Sequence, residues 1–299
     1  MVFPIFGLIW VSPFESLQAI LTKANPPIRD ESTPSGTVFQ DRVGEPMSCL
    51  ELSNWTEFNL ETLIDAYGDI LNEQVRVTNH APAEMPSIRS FADLKTVAQR
   101  HIFPTLQDTM QAGARQIGIR LGRHLPTPEF HPSLSFQGPC AAFTLLSGNG
   151  DALLVGCVQH AKQWNSSDLL VSDSAKYPIS LLVRDCRVAG TRYGFVLTSN
   201  EIVVVRVSRA DTRRAFHVEW QAIPWGATGN SALTVNLALW FLAMMSLNDD
   251  HRQICDSTEL LPLNSWSRSV GSDGQIVYQH HLSMRKRFDL PVIAAYTEV

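Results

Sequence analysis

The chain has 299 residues, 44% of them hydrophobic and 18% charged, and a formal net charge of -5. That much apolar material builds a sizeable core and excludes a chain that stays disordered. An acidic balance without a basic stripe argues against holding a phosphate backbone, and 5 widely spaced cysteines with no CxxC pair argue against a disulfide scaffold.

The run from Met1 to Val11 is apolar, but the first lysine is Lys23, and Pro4 and Pro13 interrupt the segment. It reads as packing on the body of the protein rather than as a secretion signal, and a cytoplasmic location is expected. The polar, proline-bearing stretch from Asn25 to Pro46 reads as a linker or long loop. Leu60, Leu63, Ile64, Tyr67, Ile70 and Leu71 then recur at helical spacing along one face. Ser90 is placed to cap a second helix running to Arg100, and a third extends from Thr105 to Leu121. Pro126, Pro128 and Pro132 close this mostly helical part, residues 1–130, expected to pack on a core formed by residues 131–299.

The second part changes character. Ala141–Leu146 and Ala152–Val158 are apolar runs split by Ser147-Gly148-Asn149-Gly150-Asp151, a hairpin signal. A helix is expected over Pro178–Ala189, a second strand pair over Tyr193–Thr198 and Ile202–Val207, and a further strand over Phe216–Ile223. The apolar run Leu233–Leu247 is shorter than the ~20 residues a bilayer crossing needs and contains Asn236. It reads as part of a buried helix from Ala232 to Leu247, and no membrane span is expected. The basic cluster Arg285-Lys286-Arg287 is short and reads as a solvated face, followed by a C-terminal extension. This order predicts an α/β fold with a mixed central sheet flanked by helices.

Three strings in the second part carry a resemblance. Thr191-Arg192-Tyr193-Gly194, Ile223-Pro224-Trp225 and Leu233-Thr234-Val235-Asn236-Leu237-Ala238-Leu239-Trp240 stand in this order. Order and spacing are similar to those of fungal proteins of the PD-(D/E)XK nuclease superfamily, over about residues 135–248. The resemblance implies a restriction-endonuclease-like core. In that family an aspartate at one strand end and an acidic residue on the next hold a divalent cation, and a nearby lysine orients the attacking water. Aligned on the flanking strings, the family's Pro-Asp falls on Pro139-Cys140, and its Gly-Asp-x-Lys falls on Gly156-Cys157-Val158-Gln159. Thiols and an amide replace carboxylates and an ammonium, a donor set unsuited to a hard cation. Cys140, Cys157 and His160 also match no zinc spacing. Neither metal nor cofactor is expected.

A cleft so altered is drier and uncharged, and suits an apolar, polyketide- or terpenoid-like small molecule better than a phosphodiester. On this expectation Gln159 and Lys162 are the catalytic donors to a carbonyl, while Cys140, Cys157, His160, Trp164, Tyr193 and Trp225 line the guest. Positioning alone accelerates unimolecular reactions, so a cyclisation of Diels-Alder type in fungal secondary metabolism fits. The alternative is a catalytically dead pseudonuclease acting as a protein-interaction or nucleic-acid-binding module, although nucleic acid is disfavoured by the charge. Cys140 and Cys157 also read as ordinary buried cysteines, which behave as small hydrophobes.

Overall fold

The computed structural model describes residues 14–33, 50–76, 85–132, 142–210, 215–271, 274–292 and 294–298. The expectations for Met1–Val11 and for Cys140 lie outside these residues. In chain order the described helices are α1 (Leu17–Leu21), α2 (Leu60–Leu71), α3 (Phe91–Val97), α4 (Phe103–Leu121), α5 (Tyr177–Ala189) and α6 (Val235–Ser246). The strands of the central sheet are β1 (Leu50–Asn54), β2 (Glu129–Pro132), β3 (Ala142–Leu146), β4 (Ala152–Val158), β5 (Tyr193–Leu197), β6 (Glu201–Arg209) and β7 (Phe216–Pro224). They lie side by side as β1-β7-β6-β5-β4-β3-β2. The pairs β4/β5 and β7/β1 are parallel and the remaining neighbours antiparallel, so the sheet is mixed. Parallel neighbours need a crossover, and α5 supplies it between β4 and β5.

Alternation along the strands gives the sheet two apolar faces. Phe195, Leu197, Ile202 and Val204 point to one side, Val196, Val203, Val205 and Val207 to the other. The first face packs against α2, α4 and α6, the second against α5 and residues 164–175. Helix α6 is buried at every position from Val235 to Ser246, as a helix apolar all round must be. Thr234 caps it by accepting from the Leu237 N–H at 3.1 Å. Gly113 lets α4 pass close by: a Cβ there would stand 2.4 Å from the Met244 sulfur.

The two helices expected before residue 121 join. Ser90 caps α3 in a reciprocal box with Asp93, and a π turn over Ala98–Ile102 continues the chain into α4. Residues 1–130, expected as a mostly helical layer, also extend the sheet. Strand β1 pairs with β7, β2 begins at Glu129, and the apolar core on the first face runs from Leu17 to Leu282. The C-terminal extension forms a second sheet of β8 (Ser265–Val270), β9 (Ile276–His280), β10 (Lys286–Arg287) and β11 (Ala295–Glu298), in the order β10-β9-β8-β11. Arg206 ties β6 to this region: it pairs with Glu219 at 2.6 Å, donates to the Leu261 carbonyl at 3.2 Å and lies over the Trp55 ring.

Candidate functional site

Strands β4 and β5 run parallel with Cys157 opposite Val196 and Val158 opposite Leu197, so they end side by side. The chain leaving β4 (Gln159 to Trp164) and the turn after β5 (Thr198 to Asn200) therefore share one edge of the sheet. The crevice beyond the carboxyl ends of parallel strands is where α/β sheets commonly bind ligands. Gly156 sets the spacing just before this edge. A Cβ there would fall 2.2 Å from the Phe195 ring, so only glycine lets that ring lie over β4.

The structure places four of the expected lining residues in the body of the protein. Cys157 is 2% exposed and packs in the apolar cluster with Trp164, Leu169, Ile179 and Leu182. Trp164 shares that cluster and donates its indole N–H to the Ala175 carbonyl at 2.7 Å. Tyr193 is buried on the opposite face, where burial raises its phenol pKa. Trp225 is also buried, and its indole N–H donates to the Pro26 carbonyl at 2.9 Å. Ala142 stands opposite Cys157 across β3 and β4, and Cys140, two residues earlier, is outside the described residues.

Gln159, His160 and Lys162 follow β4 along the edge, and the Lys162 charge acts on the His160 imidazole. Gln159 is fully buried, and its backbone N–H donates to the Leu197 carbonyl at 2.9 Å. His160 is buried with its ring 4.1 Å from that of Phe91, and its Nδ1 has no hydrogen-bond partner among the described residues. Burial lowers the His160 pKa, Asp30 and Asp93 pull it upward and Lys162 adds to the lowering. The net effect is a neutral imidazole at pH 7.

Lys162 reaches back to the N-terminal part. Its ammonium donates to the Ser32 carbonyl at 2.6 Å and the Asp30 carbonyl at 3.2 Å, and stands 3.8 Å from the Asp30 carboxylate. That carboxylate accepts from the Ser199 hydroxyl at 2.7 Å and from the Ser32 backbone N–H at 2.9 Å. Burial works against the Asp30 anion, but hydrogen bonds from Ser32 and Ser199 and the Lys162 charge outweigh it and lower its pKa. Residues 25–32, part of the stretch expected to be a linker, thus lie against the strand ends as a strap. Arg29–Asp30 pairs in parallel with Ser87–Ile88, with the Arg29 and Glu31 amides donating to Pro86 and Ile88.

Asp30, Ser199 and Phe91 are the site residues missed in sequence. Asp30-Glu31-Ser32 did carry a local signal, since an aspartate side chain bonding two residues onward is a turn-forming device. Chemically, the edge offers a neutral imidazole, a buried amide and an ammonium that recognises carbonyl oxygen. Among the described residues no group of three or more His, Cys, Asp or Glu side chains could hold a metal ion. A groove of about 500 Å³ lies elsewhere, between the end of α4 and residues 122–127, and a polar pocket of about 210 Å³ is lined by His251, His280 and His281. No protein-family model, curated protein or solved structure matches the chain.

Proposed function

We propose that this chain is a nuclease-like fold that has exchanged metal-dependent hydrolysis for metal- and cofactor-free work on a carbonyl-bearing, largely apolar small molecule. The favoured reaction is a cyclisation of a polyketide- or terpenoid-like precursor. The observation that carries this reading is the Lys162 ammonium at the end of β4, beside buried Gln159 and His160, already donating to two carbonyl oxygens. A guest carbonyl in the same place would be polarised by the same donor, and a folded guest would react faster by positioning alone. Cys157 and Gln159 support the loss of nuclease chemistry, because neither supplies the oxygen anions that a hard cation needs.

The test is incubation of the purified protein with a panel of linear polyene ketones, followed by chiral chromatography and mass analysis. Acceleration by the wild type, lost in Lys162→Ala and Gln159→Ala, is the expected result. Equal rates in wild type and both variants would sink the reading, as would cleavage of plasmid DNA in Mg²⁺ or Mn²⁺.

One observation favours a second reading, the pseudonuclease module. Lys162 is satisfied by the protein's own backbone, as it would be in a fold kept for interaction alone. That reading predicts salt-dependent retardation of DNA or RNA, or a protein partner, with no turnover of any polyene ketone.

A further inference from the structure

We infer that residues 28–32 act as an internal occupant of the site, and that a ligand bearing a carbonyl or carboxylate displaces them. The inference rests on the reading that the edge beyond β4 takes a carbonyl-bearing guest, and adds how access to it is controlled. Three observations converge. The strap presents to Lys162 what such a guest would present: two carbonyl oxygens, at 2.6 and 3.2 Å, and a carboxylate at 3.8 Å. The same carboxylate takes the Ser199 hydroxyl, so one segment engages both donors at the edge.

The ground beside the strap is polar although it is buried. Gln159 and Thr198 are fully buried, and Ser199 and His160 nearly so. The Thr198 hydroxyl is engaged by its own turn, with the Glu201 carbonyl and the Asn200 and Glu201 amides, so the polar groups that meet the strap are the Ser199 hydroxyl and the Lys162 ammonium. The strap is also fastened unequally. Its root is held firmly, by Trp225 on the Pro26 carbonyl and by Asn236 on the Asn25 side chain. Beyond the consecutive prolines Pro26 and Pro27, the fastenings among the described residues are polar: a two-residue ribbon, the exposed Arg89–Glu31 ion pair, the contacts of Asp30 and the Lys162 bonds to the Asp30 and Ser32 carbonyls. Among the described residues 28–32, Ile28 is the one that adds apolar packing. Elements with few apolar contacts and exposed ion pairs open most readily, so residues 28–32 can swing while the root stays in place.

The experiment uses the full chain with two probes, octanoate, which carries an acceptor head, and octylamine, which carries donors only. Backbone hydrogen exchange of residues 28–32 and 157–163 is followed by mass spectrometry, and affinity by calorimetry. Octanoate is expected to speed exchange at residues 28–32 in the wild type, and Asp30→Ala to bind it at least tenfold more tightly. Lys162→Gln is expected to bind it at least tenfold more weakly, and octylamine to leave exchange unchanged. Arg89→Ala removes the exposed Arg89–Glu31 ion pair while leaving Lys162 and Ser199 in place; it should also bind octanoate more tightly than the wild type, and serves in place of Asp30→Ala should the latter fold poorly. Unchanged exchange at residues 28–32, or equal affinity in all variants, would overturn the inference. Octanoate is no precursor for cyclisation, so failure to find turnover leaves this outcome separately readable.

Discussion

Lowering the pH should unfold this protein through the C-terminal sheet, and His280 allows the size of the effect to be worked out. Its imidazole is completely buried: Nε2–H donates to the Leu263 carbonyl at 2.9 Å, and Nδ1 accepts from the Ser283 amide at 3.1 Å. Burial first of all lowers its pKa to about 3, with His251, Arg285 and Arg120 adding to the shift and the Leu263 contact opposing it. In the unfolded chain the same group titrates near 6.5. Above that value both states are neutral and His280 makes stability no function of pH. As pH falls from about 6.5 toward 3, the unfolded chain binds a proton that the folded chain refuses, and stability drops. At pH 5 the gap is 1.5 pH units, worth about 2 kcal/mol at about 1.4 kcal/mol per unit. Asp185 acts in the opposite sense: burial raises its pKa to about 6, so stability tied to it grows as pH falls from there toward the unfolded value. The informative quantity is therefore the difference between wild type and His280→Asn in urea unfolding at pH 7.5 and pH 5. Any packing loss in the variant appears at both values and cancels, whereas the titration appears only in the wild type. Equal pH dependence in the two proteins would refute the assignment, as would an imidazole that titrates near 6.5 by NMR.

Gly156→Ala should destabilise the fold by roughly 1–3 kcal/mol or more, because the new methyl group meets the Phe195 ring and well-packed cores resist added volume; an unchanged urea midpoint would contradict this. Arg206→Met leaves Glu219 half-buried beside a neutral side chain and should cost about 3–5 kcal/mol. Adding Glu219→Leu should recover most of that loss in a double-mutant cycle. Ser90→Ala removes the cap of α3 and should cost about 1 kcal/mol in thermal or chemical unfolding.

What was legible in the sequence is what local chemistry dictates. The apolar stripe from Leu60 to Leu71 has the helical period and forms α2 with those bounds, and Ser90 caps its helix through Asp93. The strand pairs around Ser147–Asp151 and Ser199–Glu201 carry turn residues between apolar runs, and both pair as hairpins. Less legible was anything fixed by a distant partner. Strand β1 is five residues long with no fully buried position, and its place in the sheet depends on β7, more than 150 residues later. The strap was invisible for the same reason, since Asp30 and Lys162 lie 132 residues apart and neither signals the other. Tyr193 and Trp225 stood out because they belong to recognisable strings, but a string does not say whether a side chain lines a cavity or fills a core. In the structure both fill it.

The residues at positions 157, 159 and 162 and the strap make sense together. A cleft built for a metal would carry carboxylates at the strand ends, and these would repel a further anion unless the cation were bound. With the uncharged Cys157 and Gln159 at the end of β4, the charges acting on His160 are those of Asp30, Asp93 and Lys162. Asp30 settles against the Lys162 ammonium and the Ser199 hydroxyl, which between them favour its anion. Nor would an aspartate at position 157 build a metal site here. Cys157 faces the cluster of Trp164, Ile179 and Leu182, so an aspartate there would be a buried anion among apolar side chains and would protonate before it could serve as a ligand. Thiol and amide at positions 157 and 159 leave the end of β4 without a fixed charge of its own. There an acidic segment of the protein's own chain meets Lys162 through two carbonyl oxygens and the Asp30 carboxylate.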